Sequence, residues 1–341
     1  MSEERAQWLD VYGTTIRLSG EPAAVQGLRS HFATFATGPS SDPEITLDLR
    51  QQAPRLDLPI RQQADQVLDR GVVYNVGAIT WVDHHGHAVS RYDFDEERGT
   101  ISAPVVDDLI ELGYLVLSSR LGVKLEQRGL FRVHALGFVV QGTATLLLGA
   151  SGTGKSRLAL ALLRRTDAFL LSDDVVLVDR SGLAHPFPHP IGVARPEEAT
   201  GLAPAHRFVR RGHATKWLLD LDALATRHAQ GPAPVRLVAE LVRVSGPPSQ
   251  IRRASWRRIG GLLWRDLVVG LGLPQVLELV ARRGYRDLWR QAPSAMRRSM
   301  AAAVVVRRAE PATLESFDPD QAADLIVKAV GEPRRRWDLI G

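Results

Sequence analysis

The stretch Gly149-Ala-Ser-Gly-Thr-Gly-Lys-Ser156 decides how this chain of 341 residues is interpreted. It fits the pattern G-x-x-x-x-G-K-[S/T], in which backbone N–H groups curl around a phosphate. An apolar run, Thr145–Leu148, precedes it and predicts a buried strand, and a helix-forming run, Arg157–Leu163, follows it. The positive end of such a helix faces the same anion. The predicted phosphate-binding residues are Gly149, Ala150, Ser151, Gly152, Thr153, Gly154, Lys155 and Ser156.

Two residues of this stretch carry more specific expectations. The Lys155 ammonium is placed to reach the terminal phosphates of a nucleotide, and the Ser156 hydroxyl is placed to ligate Mg²⁺. The alternative interpretation is a glycine-rich turn between strand and helix that binds nothing. The strand and helix on either side favour the phosphate site over that alternative.

The composition is that of a globular protein, with 45% hydrophobic and 24% charged residues. The chain has no cysteine, which excludes disulfides, thiolate catalysis and cysteine-ligated metals. Its first residues lack the apolar segment of a signal peptide, and no apolar run approaches the roughly 20 residues of a membrane span. We therefore expect a cytoplasmic protein without a membrane partner.

The net charge of +5 is concentrated in clusters of basic residues. Such clusters bind nucleic acid, acidic peptides or nucleotide phosphates, or they are solvated helix faces. No recognised nucleic-acid motif accompanies them, so we expect no nucleic-acid partner. The clusters are Arg207, Arg210, Arg211 and Lys216; Arg252, Arg253, Arg257 and Arg258; and Arg334, Arg335 and Arg336.

The hydrophobic pattern predicts three segments. Residues 1–104 alternate between apolar and polar positions, which indicates an N-terminal β-rich region. Residues 105–331 contain the glycine-rich stretch and predict an α/β domain of the P-loop type. Residues 332–341 form a C-terminal tail. The oligomeric state is left open, a homo-oligomer included.

Within the second segment the pattern predicts individual helices and strands. Val105–Gln127 has the spacing of one amphipathic helix. The strands predicted are Val235–Val244 and Ala301–Arg307. Residues 257–290 are predicted to be mostly helical, and Asp320–Val330 is predicted to be a last helix with its N-cap near Asp318.

An acidic pair, Asp173-Asp174, follows the apolar run Ala168–Leu171 and comes 18 residues after Lys155. That interval suits one helix, one turn and one strand, which brings the end of the strand beside the phosphates. Phosphoryl transfer needs a carboxylate that holds the metal and a group that orients or deprotonates the attacking group. Two adjacent acids can divide these tasks. The alternatives are the metal-binding pair of an ATPase that uses water, or a solvated turn.

His134 lies 15 residues before Gly149, in a predicted strand that precedes the strand entering the glycine-rich stretch. A hairpin of these two strands would put His134 either next to that stretch or away from it. A lone histidine has a structural or a functional interpretation, and the pattern by itself leaves both open.

Taken in order, His134-Ala135, the glycine-rich stretch and Leu170-Leu-Ser-Asp-Asp174 resemble the catalytic domain of HPr kinase/phosphorylase and its relatives. That family shares a P-loop core with ATP-dependent phosphoenolpyruvate carboxykinase. It includes relatives encoded beside peptide-modification enzymes, some of which phosphorylate precursor peptides. The resemblance covers roughly residues 125–192 and implies a P-loop kinase core of the HPr kinase/carboxykinase type, preceded by the β-rich region.

The resemblance also implies roles for single residues. Lys155 would bind the β- and γ-phosphates of ATP, and Ser156 would ligate Mg²⁺. Asp174 would be the base that takes the proton from an acceptor hydroxyl, and Asp173 would support the metal or its water. His134 would sit close to the transferred phosphate.

The chain departs from the family in one segment. HPr kinases carry a downstream Glu-hydrophobic-Arg-Gly segment that supplies a second metal ligand and helps to bind the partner protein, and this chain has no match to it. Glu197 and Glu198 are the candidates for that glutamate. The departure argues against HPr as the substrate and against the reverse, phosphorylase reaction.

The resulting prediction is an ATP- and Mg²⁺-dependent phosphotransferase of EC class 2.7. Its acceptor is predicted to be a serine or threonine hydroxyl of a peptide or protein, a precursor peptide among them. A small hydroxylated molecule resembling free serine is the second choice. The alternatives are a P-loop ATPase, a carboxykinase acting on a carboxylic acid, and a module that holds nucleotide without a separate acceptor.

Overall fold

The computed structural model describes residues 6–59, 63–150, 152–209, 211, 215–270 and 292–331. These residues form two compact units. Unit 1 contains residues 6–125 together with part of 207–216, and unit 2 contains the described residues of 126–206, 217–270 and 292–331. No helix in the described part of the chain combines the length and the apolarity needed to cross a bilayer.

Unit 1 is built on a nine-stranded sheet in the order β3-β1-β2-β4-β9-β8-β7-β6-β5. The β2–β4 and β4–β9 pairs are parallel and the others are antiparallel. Its elements are β1 (Gln7–Val11), β2 (Thr14–Gly20), α1 (Pro22–Ser30), β3 (Ala36–Thr37), β4 (Ile45–Gln51), β5 (Gln66–Leu68), β6 (Gly71–Val76), β7 (Ile79–Asp83), β8 (Val89–Asp93), β9 (Arg98–Ala103) and α2 (Val106–Gln127).

The predicted helix Val105–Gln127 is confirmed as α2, but it groups with unit 1 as far as Leu125. Close packing on the sheet explains the grouping, because a β-carbon at Gly113 would lie 3.0 Å from Leu28 and 3.4 Å from Leu49. The sequence places the boundary before this helix, at residue 104. The division observed therefore falls at the end of α2 rather than at its start.

Unit 2 holds the glycine-rich stretch in a mixed sheet. Its elements are β10 (Leu130–His134), β11 (Leu136–Val140), β12 (Thr143–Leu148), α3 (Lys155–Leu163), β13 (Ala168–Ser172), β14 (Val175–Asp179), β15 (Leu183–His185), β16 (Gly192–Val193), β18 (Lys216–Leu219), β19 (Ala233–Arg243), β20 (Gln250–Arg253), α4 (Trp256–Leu263), α5 (Ala292–Arg308), β21 (Glu310–Ser316) and α6 (Pro319–Gly331). One further strand, β17, spans Ala205–Phe208.

Four strands of unit 2 run in the same direction and end at the same edge of the sheet. β19 is parallel to β12 and to β21, and β13 is antiparallel to β11, which is itself antiparallel to β12. The carboxyl ends of β12, β13, β19 and β21 therefore meet at one edge of the sheet. Ligands of open α/β sheets bind at this kind of edge.

Helices cover both faces of this sheet. Leu147 of β12 packs into the core formed with α3 and α6, whereas its neighbours Leu146 and Leu148 pack into the core formed with α4 and α5. Alternate residues of one strand point to opposite faces, so a fully apolar strand is needed where both faces are covered. This layering explains the run Thr145–Leu148 and establishes the α/β class for unit 2.

The prediction of a strand at Ala301–Arg307 is wrong, because these residues lie within α5. The run of β-branched residues at Val304–Val306 suggested a strand. In the structure Ala301, Ala302 and Val305 are buried together, at the spacing of one helix face. The predicted strand at Val235–Val244 is confirmed as β19. The predicted helix over 257–290 is confirmed as far as Val269, and residues 271–290 lie outside the described part.

The cap predicted for the last helix is confirmed and supports a stability test. Asp318 Oδ1 accepts hydrogen bonds from the backbone N–H groups of Asp320 (2.8 Å) and Gln321 (2.9 Å). Asp318→Ala should lower the free energy of unfolding by about 1 kcal/mol, as loss of an N-cap does. Urea denaturation measures this, and Lys328→Ala, at an exposed position on the same helix, is the control. Equal stability of the wild type and Asp318→Ala would contradict the role of the cap.

Candidate active site

The glycine loop, defined as residues 149–156, connects the end of β12 to the start of α3. Gly152 and Gly154 have φ values of +86° and +101°, which residues with a side chain rarely adopt. A β-carbon at Gly149 would lie 2.9 Å from Thr153 Oγ1 and 3.2 Å from the carbonyl oxygen of Leu241. The glycines are thus required by the path of the backbone. Ser151 of the predicted set lies outside the described residues.

Lys155 turns back over the loop that it ends. Its side chain is 8% exposed, and its Nζ donates to the carbonyl oxygens of Gly149 (2.5 Å) and Ala150 (3.3 Å). Burial lowers the pKa of Lys155, and the neighbouring carboxylates, Asp174 foremost, offset part of that effect. The ammonium is therefore held at the mouth of the loop, where the terminal phosphates of a nucleotide would lie.

The acidic pair connects two successive strands, β13 and β14, that hydrogen-bond to different neighbours. β13 pairs with β11 and ends at Ser172, β14 pairs with β10 and begins at Val175, and the pair connects them. The β10–β11 connection makes the same change at Ala135, whose N–H donates to the carbonyl oxygen of Asp174 at 3.0 Å. Two chain crossings thus stand side by side at the sheet edge that carries the glycine loop.

His134 is brought to the site by this second crossing. Its Nδ1 lies 3.2 Å from Asp174 Oδ1, and its Nε2 lies 3.4 Å from Lys155 Nζ. The imidazole thus lies between the carboxylate of Asp174 and the ammonium of Lys155 and is close to both. The sequence leaves open whether His134 lies next to the loop or away from it. In the structure it lies beside the loop, between Asp174 and Lys155.

Asp174 is both recessed and accessible. It lies among the strand ends, yet 52% of its side chain remains open to solvent. Burial by itself would raise the pKa of this carboxyl, but the His134 imidazole, followed by His189 and Lys155, lowers it more. The pKa of Asp174 therefore lies below its ordinary value, and the group is an accessible carboxylate at neutral pH.

Asp173 faces the helix rather than the histidine. Its Oδ2 accepts a hydrogen bond from Ser156 Oγ at 3.2 Å, and its side chain is buried. A hydroxyl and a carboxylate are hard oxygen donors of the kind that Mg²⁺ prefers when phosphates and water complete its shell. The pair thus fits a magnesium ion. Among the described residues there is no group of three or more histidine, aspartate or glutamate side chains that could hold a metal ion.

His189 was not singled out by the sequence analysis. It is buried, its Nδ1 contacts the carbonyl oxygen of Phe187 at 3.0 Å, and burial lowers its pKa. Its ring contributes to the low pKa of Asp174. The surrounding Phe187-Pro-His-Pro190 has neither helical nor strand periodicity, which is why no pattern indicated this residue.

A second group of charged residues lies near the end of the strand that enters the glycine loop. Glu240 of β19 pairs in register with Leu148, the last residue of β12. Arg265 and Asp266, just after α4, form a bidentate pair, and both act on the pKa of Lys155. One sequence signal could have indicated them, because Asp266 takes a core position, seven residues after the buried Ile259, in an otherwise apolar helical run.

The glutamates proposed as a second metal ligand are placed elsewhere. The carbonyl oxygen of Glu198 accepts a hydrogen bond from Arg164 Nη2 at 3.1 Å, and Arg164 caps the carboxyl end of α3. The glycine loop lies at the opposite end of that nine-residue helix, about 13 Å away. Glu198 is therefore not a ligand in this arrangement, and the adjacent Glu197 is exposed in the same short turn.

The basic clusters are in part engaged by acids. In unit 1, Arg211 donates to Asp108 Oδ2 at 2.8 Å, and its backbone N–H donates to Glu111. In unit 2, Arg258 Nε lies 2.6 Å from Glu240 Oε2. These pairs favour the interpretation of a solvated surface for the residues concerned. Arg210 and Arg334–Arg336 lie outside the described residues.

The lowered pKa of Lys155 gives a prediction for nucleotide binding. The ammonium is present below its pKa and lost above it, so ATP affinity should begin to fall at a pH below the value of about 10.4 for an ordinary lysine. Asp174→Asn removes a carboxylate that raises this pKa, so the fall should move to still lower pH. Calorimetric titrations of ATP from about pH 7 to about pH 10 measure both effects. A shift to higher pH in Asp174→Asn would contradict the account.

Comparison with known proteins adds little to this geometry. No protein-family model matches the chain, and no curated protein matches it. Among solved structures, the Hpr(Ser) kinase/phosphatase from Coxiella burnetii matches over 36% of this chain and 76% of its own, with 22% sequence identity and a TM-score of 0.21. A TM-score this low carries no argument about fold or function.

Proposed function

We propose that this chain is an ATP- and Mg²⁺-dependent kinase with a P-loop core of the HPr kinase/carboxykinase type. In this proposal it transfers the γ-phosphoryl group to a hydroxyl, that of a serine or threonine in a peptide or protein. The observation that carries the proposal is the connection through His134, with an accessible carboxylate, Asp174, on one side and the lysine of a phosphate-binding loop, Lys155, on the other.

The residues present fit the two bound groups. A β-carbon at Gly152 or Gly154 would meet no described atom within 4 Å, so the loop has open space beside its backbone. The first N–H groups of α3 have no partner within the helix and face that space. Ser156 and Asp173 would hold Mg²⁺. When bound, the metal would neutralise charge on the phosphate oxygens.

The remaining steps fall to side chains of this chain. Asp174 accepts the proton of the acceptor hydroxyl as its oxygen forms a bond to the γ-phosphorus and the bond to the β,γ-bridging oxygen breaks, leaving ADP. His134, whose Nδ1 lies 3.2 Å from Asp174 Oδ1, is placed to orient the base. Lys155 and the N–H groups of the loop stabilise the charge that spreads over the phosphoryl oxygens.

The exposure of Asp174 supports a peptide or protein as acceptor. Half of its side chain is open to solvent, so a serine or threonine on a larger chain can approach the base from outside. A small hydroxylated molecule, water and a carboxylic acid are the competing acceptors, and each gives a different product. A precursor peptide encoded beside the gene is the first substrate to try.

The test is transfer of label from [γ-³²P]ATP with Mg²⁺ to the proteins and peptides of a lysate of the source cells. The proposal predicts a labelled peptide or protein that is absent with Asp174→Asn. Label that appears only as free phosphate would indicate an ATPase instead. Bound ATP without turnover would indicate a nucleotide-binding module.

A further inference from the structure

The helix that begins with α4 changes its winding next to the candidate site. Over Trp264–Val269 it widens into π-helical turns, and the N–H of Gly270 donates to the carbonyl oxygen of Arg265, five residues earlier, at 3.0 Å. Such widened turns are rare and occur frequently at functional sites. Here the widened segment carries the bidentate pair formed by Arg265 and Asp266.

Core packing places this pair near the glycine loop, because the widened segment packs against β10, the strand that ends at His134. Leu148, the residue before the loop, shares one core cluster with Leu263 and Leu267, which flank the pair. The widened segment is held to α5, because Arg298 Nη1 donates to the carbonyl oxygen of Val268 at 3.0 Å. Arg265 and Asp266 also act on the pKa of Lys155, in opposite directions.

Asp266 holds the Arg265 guanidinium in a fixed orientation. Arg265 Nε lies 2.7 Å from Asp266 Oδ1, and Nη2 lies 3.0 Å from Oδ2. Asp266 is 1% exposed, whereas the Arg265 side chain is 36% exposed. A guanidinium has five N–H donors, so the fork that holds Asp266 still has donors to offer an anion.

The fold alone does not account for this pair. A buried ion pair loses so much hydration that apolar residues of similar size often stabilise a protein as well or better. Arginine in a rigid fork is, by contrast, the residue best suited to bind phosphate oxygens. Since the widened segment packs against the strand that ends at His134, such a fork lies close to the position expected for the terminal phosphates.

We propose that Arg265 binds the transferred γ-phosphoryl group and that Asp266 is the positioning residue that aims its guanidinium. This inference rests on the proposed kinase function. Arg265 keeps its protons throughout, and it stabilises the negative charge on the phosphoryl oxygens while the acceptor bond forms and the bond to ADP breaks. Arginines that act on phosphoryl groups in this way raise kcat by about 10³- to 10⁵-fold in P-loop enzymes.

The test compares Arg265→Ala with Arg257→Gln, which removes the same charge from an exposed position on the same helix. Arg265→Ala should lower kcat at least about a hundredfold and leave the Kd of MgADP unchanged within about threefold. Added guanidinium should restore part of kcat. Independently of turnover, Arg265→Ala should lose at least about tenfold in affinity for MgADP with aluminium fluoride, a mimic of the transferred group. Arg257→Gln should match the wild type in every measurement.

Asp266→Asn separates positioning from folding. It should lower kcat by roughly tenfold with an unchanged Kd of MgADP, because the guanidinium remains but is no longer aimed by a charged partner. Arg265→Lys keeps the positive charge but lacks the two parallel N–H donors of the guanidinium, so it should also lower kcat. It replaces Arg265→Ala in the experiment if that variant does not fold. If the wild type is active and these variants have the same kcat and the same affinity for MgADP with aluminium fluoride, this inference is wrong and the proposed function stands. Absence of transfer by the wild type would overturn the proposed function and this inference with it.

Discussion

Asp174→Asn should bind ATP as tightly as the wild type near neutral pH and transfer phosphoryl groups at least about a hundredfold more slowly, as removal of a general base does. The asparagine keeps the size of the side chain and can still accept a hydrogen bond from His134. It cannot take the proton of the acceptor hydroxyl. Transfer is measured from the initial rate of ³²P labelling at saturating ATP, and ATP affinity is measured by calorimetry.

The control for this experiment is Asp222→Asn, which makes the same chemical change at an exposed position of unit 2. It should transfer at the wild-type rate. If Asp174→Asn also transfers at that rate, Asp174 is not the base, and the assignment of its role is wrong. If both binding and transfer are lost, the carboxylate is needed to form the nucleotide site rather than to remove a proton.

Lys155→Ala should show the second large effect, on binding and on transfer together. A hydrogen bond to a charged group contributes about 1.5–3 kcal/mol, so ATP affinity should fall roughly ten- to a hundredfold. Transfer should fall further, to about a thousandfold in kcat/KM, because the ammonium also stabilises charge in the transition state. Calorimetric ATP titration and the same labelling assay measure the two effects.

Lys328→Ala, at an exposed position on α6, is the matched control and should leave both values unchanged. Removing Lys155 also takes the Nζ donor from the carbonyl oxygen of Gly149, so the thermal unfolding of the variant must be recorded alongside. ATP affinity and transfer equal to the wild type in a folded Lys155→Ala protein would contradict the placement of the nucleotide at the glycine loop.

The parts of the site that lie close together in the sequence were predictable from it. The glycine loop, the strand before it and the helix after it are a local pattern, and the structure has all three. The interval between Lys155 and the acidic pair indicated one helix, one turn and one strand, which are α3 and β13 with their connections. Local spacing was sufficient because each of these elements follows the previous one directly.

The parts that depend on how distant strands pair were not predictable. His134 meets Asp174 because two chain crossings lie side by side, and no pattern in either segment reports that pairing. The polar position of Asp266 in an apolar helical run is visible in the sequence, but it does not tell which strands that helix packs against, more than a hundred residues after the loop. The β-branched run of Val304–Val306 misled the prediction because tertiary burial of one helix face outweighed local strand propensity.

The measurement that tests the central claim most directly is the chemistry of the labelled product. Wild type is incubated with [γ-³²P]ATP, Mg²⁺ and acceptor, and the labelled material is divided between acid hydrolysis and hydroxylamine treatment. The account predicts an acid-stable phosphoester recovered as phosphoserine or phosphothreonine, and its absence with Asp174→Asn. Label released by hydroxylamine would reveal a carboxyl acceptor, and label found only as free phosphate would reveal water as the acceptor. Either of these two results would contradict transfer to a hydroxyl.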